Sequence, residues 1–340
     1  MPVRPDLSRR RLLGLGAGLG AAVLLGGCGG DEAAPTTGAA TPSGKALEPY
    51  TVRTCVYAKN HASSALYWQQ FAPEGITVEV VPVKSAIEVQ DGLESGQLDF
   101  GLLAPYTPII AITQDPASIT SKIVGMISRG GLGLVGRAGE VETVADLRGK
   151  KLAVPPPTLQ VLVLNDALRE AGLRLGQDVE AVPLGFADHV TAFERGDVDA
   201  FMGTEPLVTQ AVVGGGGVRL EEVTQTPVGD FNTANWASAK VLGERPDVVR
   251  AVTRMQRDAA QLLSPDGDND PEQWRELLVE QFGFAEPVYD GVLDHIGARW
   301  KFDDERVAQV EAAATMLVQQ GGIAREPDLE PLFAREYWDV

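Results

Sequence analysis

Several kinds of residue are scarce in this chain. It has two cysteines, Cys28 and Cys55, and three histidines in 340 residues. Two cysteines cannot build a disulfide framework. His61, His189 and His295 lack the spacing of a metal site, so no metal is expected. There is no nucleophile elbow, no phosphate loop and no dinucleotide fingerprint, so neither a catalytic residue nor a cofactor is expected. Positive charge is also short, with 29 basic against 47 acidic residues and a formal charge of -18. No basic run follows residue 11. That balance argues against nucleic acid and against direct adsorption to anionic lipid. The longest apolar stretch, Leu12 to Gly27, is too short and too rich in glycine for a stable membrane-spanning helix.

That stretch follows Ser8-Arg9-Arg10-Arg11 and reads as a signal peptide over residues 1–27. The paired arginines resemble a twin-arginine export signal. Leu25-Gly26-Gly27-Cys28 resembles the lipobox of bacterial lipoproteins, which implies that Cys28 becomes the acylated first residue. Several acyl chains on one residue make a stable anchor. Residues 28–49 then form a flexible tether rich in Ala, Thr, Pro, Gly and Ser, and folding should begin near Tyr50. Cys55 lies in the apolar run Val52 to Tyr57 and reads as a small buried core residue, free of any disulfide.

The remaining length suits two lobes, and an internal repeat supports them. Val78-Glu-Val-Val-Pro-Val83 resembles Val179-Glu-Ala-Val-Pro-Leu184. Each runs through an amphipathic stretch into a glycine-aspartate box, Leu93-Glu-Ser-Gly-Gln-Leu-Asp99 and Phe193-Glu-Arg-Gly-Asp-Val-Asp199. Ser85 and Glu88 fit a capping box at the start of the first helix. Gly96 and Gly196 fit the left-handed position that stops a helix. Strands Thr51–Tyr57 and Lys150–Val154, each with a following helix, complete two units of strand, helix, strand, helix, strand. The fold class is therefore α/β: two lobes, each a mixed, mostly parallel sheet flanked by helices. Lys122–Arg137 and Phe231–Ala237 provide two hinge crossings. Lobe one is assigned 50–128 plus 232–340, and lobe two 129–231 with the hinge segments. From Ala239 onward the period is mostly helical.

Gly75-Ile-Thr-Val-Glu-Val-Val81, the two glycine-aspartate boxes, and Val144-Ala-Asp-Leu-Arg-Gly-Lys-Lys-Leu-Ala-Val154 resemble the substrate-binding proteins of ABC importers for aliphatic sulfonates, taurine, nitrate and thiamine-pyrimidine precursors. The order and spacing match over roughly residues 50 to 240. The resemblance implies a type II periplasmic-binding-protein fold that holds a small molecule between its lobes. It implies a monomer outside the cytoplasmic membrane, partnered by a permease and its ATPase.

In open parallel sheets, ligands bind beyond the carboxyl ends of the strands. The loops Tyr57–Ala62, Ala104–Thr107, Pro155–Gln160 and Gly203–Pro206 should therefore converge on a cleft. Asn60 and His61 would donate to a polar head, or belong to a surface loop. Tyr106 and Thr107 lead a helix whose free N–H groups favour anions, unless Tyr106 only packs on Pro105. Thr158, Leu159 and Gln160 offer backbone donors, and Thr204 and Glu205 close the second box. Arg129 would hold an anion bidentately or stand exposed at the hinge. Trp236 would stack on a ligand or pack as core. Asp99 and Asp199 read as structural. Pro155, Pro156 and Pro157 stand where oxyanion-binding relatives carry small residues. Having no N–H, they weaken the sulfonate or nitrate reading in favour of a neutral or aromatic ligand. Two other functions compete: an enzyme of pyrimidine-precursor synthesis on this fold, which the export signal opposes, and a sensory binding protein feeding a membrane receptor.

Overall fold

A computed structural model describes residues 47–155, 158–224, 226–228 and 230–339. The signal peptide, Cys28 and nearly all of the tether lie outside the described residues, as do Pro156 and Pro157.

Strand β1 (Tyr50–Tyr57) opens the fold where the apolar alternation begins. A 3-10 segment at Ser64–Phe71, β2 (Ile76–Val83), α1 (Ala86–Glu94), β3 (Phe100–Leu103), α2 (Tyr106–Gln114) and β4 (Lys122–Gly130) follow. The chain then crosses to β5 (Leu132–Arg137), β6 (Lys151–Val154), α3 (Leu159–Glu170), β7 (Glu180–Pro183), α4 (Phe186–Arg195), β8 (Ala200–Thr204), α5 (Leu207–Val213) and β9 (Gly217–Leu220). It returns through β10 (Phe231–Ala237) into α6 (Ala239–Glu244), α7 (Pro246–Leu263), α8 (Pro271–Arg275), α9 (Glu286–Val292), β11 (Ile296–Ala298) and α10 (Asp304–Gln319).

The two repeats occupy equivalent places in two sheets. One sheet runs β7-β6-β8-β5-β9, with β6 parallel to β7 and β8, and β5 antiparallel to β8 and β9. The other runs β11-β4-β10-β3, with the parallel pair β1-β2 beside β3. The parallel part of each lobe is the repeat itself, and the crossing strands add the antiparallel part. They are also exchanged: β4 of lobe one continues into β5 of lobe two, and β9 of lobe two leads back into β10 of lobe one.

Local chemistry explains the repeated boundaries. The Ser85 hydroxyl accepts from the Glu88 N–H at 3.2 Å and starts α1. The Glu88 carboxylate reaches back to the Lys84 N–H at 2.8 Å, one residue earlier than a capping box would have it. Gly96 and Gly196 take φ of +70° and +77°, where other residues are strained. Asp99 and Asp199 do the same work in each lobe. The Asp99 carboxylate accepts from Arg53 N at 2.9 Å and its own N–H donates to Arg53 O. Asp199 repeats this with Lys151, at 2.8 Å in each direction. Each aspartate so ties the third strand of its repeat to the first.

The core is led by Trp68, Trp236, Trp274, Phe100 and Phe231, all fully buried. A smaller cluster under β8 joins Phe193 to Phe201 edge-on at 5.5 Å. Such a pair adds about 0.5–1.5 kcal/mol beyond its buried area. Cys55 is buried within β1 and forms no disulfide. The last hundred residues are mostly helical, with β11 an extra edge strand on β4. Their helices touch both lobes. The Gln256 side chain of α7 accepts from Ser64 and Trp68, and Gln320 after α10 donates to Leu162 O of α3 at 2.9 Å.

Candidate functional site

The carboxyl ends of the repeat strands face one another across a cavity of about 90 Å³. That is room for a small molecule. Lobe one contributes Asn60 and His61 after β1, Lys84 to Ile87 after β2, and Ala104, Tyr106 and Thr107 after β3. Lobe two contributes Thr158, Leu159 and Gln160 after β6, Gly185 and Phe186 after β7, and Thr204 at the end of β8. Asn232 and Thr233, at the start of β10, complete it.

The structure thus brings together Asn60, His61, Tyr106, Thr107, Thr158, Leu159, Gln160 and Thr204. Three expected residues lie elsewhere. Trp236 is fully buried in the lobe-one sheet, and its indole N–H donates to Leu103 O at 2.9 Å, so it packs as core. Arg129 points away from the cleft. Side chains alternate along β4, and its neighbour Ser128 faces inward, with its hydroxyl 3.4 Å from His61 Nε2. Glu205 is fully buried behind the cavity wall, paired with Arg219 and accepting from Thr209 N at 3.0 Å.

The strand-end rule had a wider reach than the four loops to which it was applied. It covers the ends of β2 and β7 as well, where Lys84, Ile87 and Phe186 line the cavity. Ile87 is 57% exposed, unusual for a large apolar side chain, and it stands at the cavity mouth. Asn232 and Thr233 carried no signal, because they reach the cleft only through the strand exchange.

Asn60 and His61 are partly committed to holding the lobes together. Asn60 Nδ2 donates to Thr204 Oγ1 at 3.1 Å, and Thr204 Oγ1 donates to Gly131 O at 2.9 Å. The His61 N–H donates to Glu205 O at 3.3 Å, and its ring lies against Gly131. Gly131 has φ +78°, and a Cβ there would fall 2.0 Å from the imidazole, so both backbone and space require glycine. Burial lowers the His61 pKa to about 4, so the ring is neutral at pH 7.

Other polar groups in the cavity are free. The Thr107 and Thr158 hydroxyls are buried without a partner. Gln160 is 8% exposed, and its amide has no partner among the described residues. Burial raises the pKa of the Tyr57 and Tyr106 phenols, which therefore remain O–H donors. The N–H groups of Tyr106 and Thr107 at the start of α2, and of Leu159 and Gln160 at the start of α3, add donors that no helical carbonyl can satisfy. The prolines do not remove them. Helix α3 begins at Leu159 with Thr158 as its N-cap, so residues 155–157 precede its first turn. Among the described lining residues there is one full cation, the exposed Lys84, and no carboxylate. The cavity can donate many hydrogen bonds, offers apolar contact from Leu102, Leu103, Ile87 and Phe186, and carries no negative charge. No group of His, Cys, Asp and Glu among the described residues could hold a metal ion.

Two α/β lobes exchanging their crossing strands around a donor-rich cleft define a two-lobed binding-protein fold. The chain belongs to the NMT1-like family, whose model matches residues 62–277. It is 27% identical over 239 residues to an Escherichia coli K12 protein named "Putative aliphatic sulfonates-binding protein", a match that spans 70% of this chain and 68% of that one. It is 35% identical over 122 residues to a Brucella abortus protein named "Putative binding protein", about a third of each chain (36%). Among solved structures, the periplasmic aliphatic sulphonate binding protein SsuA of Escherichia coli aligns with a TM-score of 0.66 at 21% identity, covering 85% of this chain and 93% of that one. The nitrate-binding protein NrtA of Synechocystis aligns with a TM-score of 0.70 at 16% identity, over 86% and 88%. The desulfurization enzyme DSZB shares the fold, with a TM-score of 0.61 at 16% identity, over 85% and 97%.

Proposed function

We propose that this protein is the extracytoplasmic solute-binding component of an ABC importer, and that it captures a small oxyanion with an apolar portion, such as an alkanesulfonate. The carrying observation is the cleft itself: unpartnered hydroxyl, amide and backbone donors from both lobes, no carboxylate, and an apolar mouth at Ile87 and Phe186. Oxyanions accept many hydrogen bonds at once, and helix N-termini favour negative charge. The sulfonate- and nitrate-binding relatives point the same way. Ligand contacts from both lobes would favour the closed state, which a permease can distinguish from the open one. The chain passes between the lobes at Gly130-Gly131, between β4 and β5, and again ahead of β10.

Cys28 anchors the protein through its acyl chains, and the segment to residue 49 tethers it outside the membrane. We read it as a monomer without chemistry of its own. Cys55, the one cysteine among the described residues, is buried away from the cavity, and burial raises its thiol pKa to about 11, which suits packing rather than nucleophilic attack.

The test is calorimetry with a panel of alkanesulfonates, nitrate and neutral pyrimidines. Tyr106→Ala and Gln160→Ala should each weaken binding of the best ligand by about 1–3 kcal/mol, the cost of losing a buried partner. The double variant should be non-additive, because both act through one closed state. If both single variants keep their fold and bind like the parent, this placement of the site is wrong. If only the neutral compounds bind, the oxyanion reading is wrong.

A further inference from the structure

Arg129 leaves the cleft for a place with its own chemistry. In β4 it is paired with Gly297 of the antiparallel neighbour β11. Arg299 follows two residues after Gly297, on the same face of the chain. The Arg299 Nη1 and Arg129 Nε lie 2.9 and 3.0 Å from the point where a Cβ on Gly297 would stand. Glycine thus opens the space into which both guanidinium groups fold.

Arg299 is held in place. Its Nη1 donates to Ala298 O at 2.8 Å and its Nη2 to Gly267 O at 3.0 Å. The Arg129 side chain makes no hydrogen bond or ion pair among the described residues. Asp230 and Asp268 act on the Arg299 charge from a distance, but neither forms an ion pair with it. Asp230 is taken by Arg306 at 2.8 Å. Burial first, and then the Arg129 charge, lowers the Arg299 pKa. Two half-buried cations therefore converge, one of them wholly uncommitted, in a chain of formal charge -18. Like charges at this range repel, and a shared anion turns the repulsion into attraction. The planar fork of arginine suits oxyanions in particular.

We propose that Arg129 and Arg299, converging over Gly297, form an oxyanion site separate from the cleft, on the face of β4 turned away from His61. Its ligand is a small oxyanion of the phosphate or sulfate type.

The experiment uses the whole chain at low ionic strength. Inorganic phosphate and sulfate are titrated by calorimetry, and each is tested for its effect on the melting temperature against chloride at matched ionic strength. Saturable phosphate or sulfate binding that raises the melting temperature is expected. Arg129→Gln should weaken it roughly tenfold or more, as the loss of a charge-assisted pair does. Arg129→Lys should fall between, keeping the charge and losing the fork. Without anion, Arg129→Gln should be at least as stable as the parent, because it relieves a like-charge contact. Its alkanesulfonate binding in the cleft should be unchanged. Conversely, Gln160→Ala should leave the phosphate response intact, so failure of either site is told apart from failure of the other. Chloride acting as well as phosphate, equal phosphate affinity in parent and Arg129→Gln, or a loss of anion-free stability in Arg129→Gln would each overturn the proposal.

Discussion

Acid should loosen this protein through two buried imidazoles. His61 is 2% exposed between the lobes, and His189 is fully buried between Phe186 and Phe201. Burial is the leading cause in both, and it lowers each pKa from 6.5 to about 4. The unfolded chain therefore binds these protons more readily than the native one. Stability from each group is complete above about pH 6.5 and is lost as the pH falls towards 4. From pH 7.5 to pH 5, the loss works out at about 2 kcal/mol for each histidine, or about 4 kcal/mol together. The carboxylates with lowered pKa, among them Asp178 and Asp247, start from an ordinary value of 3.8, so their stabilisation fades at lower pH than this window. Urea unfolding at pH 7.5 and pH 5.0 measures the effect. The parent should lose about 4 kcal/mol, and His61→Gln about half as much, because one titrating group has been removed. A parent whose stability is flat over this range, or a His61→Gln variant with the parent's full pH dependence, would refute the reasoning.

Arg219→Met should cost about 3–5 kcal/mol in urea unfolding, because it strands the fully buried Glu205 carboxylate; adding Glu205→Gln should recover most of that loss, and additive losses would count against the pair. Cys28→Ala should release the protein from the membrane fraction, and a variant that stays bound after a carbonate wash would contradict the lipid anchor. Cys55 should remain a free thiol that a disulfide reagent modifies only on unfolding, and mass spectrometry showing it linked to any partner would contradict that.

Much of the fold could be read from local signals. The glycines at 96 and 196 and the aspartates at 99 and 199 act within a few residues of where they stand or on the adjacent strand, and each does the expected work. The cleft was legible at the level of loops, because strand ends follow from strand order. Its side chains were harder. Whether Arg129 faces the cleft depends on the phase of β4, and residue 129 itself does not reveal it; the contact of Ser128 with His61 decides it. Glu205 looked available beside Thr204, yet its partner Arg219 is 14 residues away, across a helix and a turn. Trp236 sits in a segment read as a crossing, but the strand it forms runs through the middle of the lobe-one sheet and is buried on both faces, as all seven residues of β10 are.

The same strand exchange has a mechanical consequence. A chain that crosses once can swivel freely, whereas here β4-β5 and β9-β10 cross as a pair, and Gly130 N donates to Asp230 O at 2.7 Å where they meet. Paired crossings restrain twisting and leave bending as the easier motion. The hydrogen bonds from Asn60 to Thr204 and from His61 to Glu205 lie at the base of the cleft, next to Gly131. Groups near a bending axis move least, so these contacts can persist in open and closed states alike. Ile87 and Phe186 line the cleft away from these ties, so they would travel further. A ligand that bridges the free donors of Thr107 and Gln160 therefore gains its differential contacts from the moving part of the cleft, while the polar knot at Gly131 keeps the lobes in register. Selectivity for the closed state would rest on the residues that have no partner without ligand, and the residues already paired serve as the pivot.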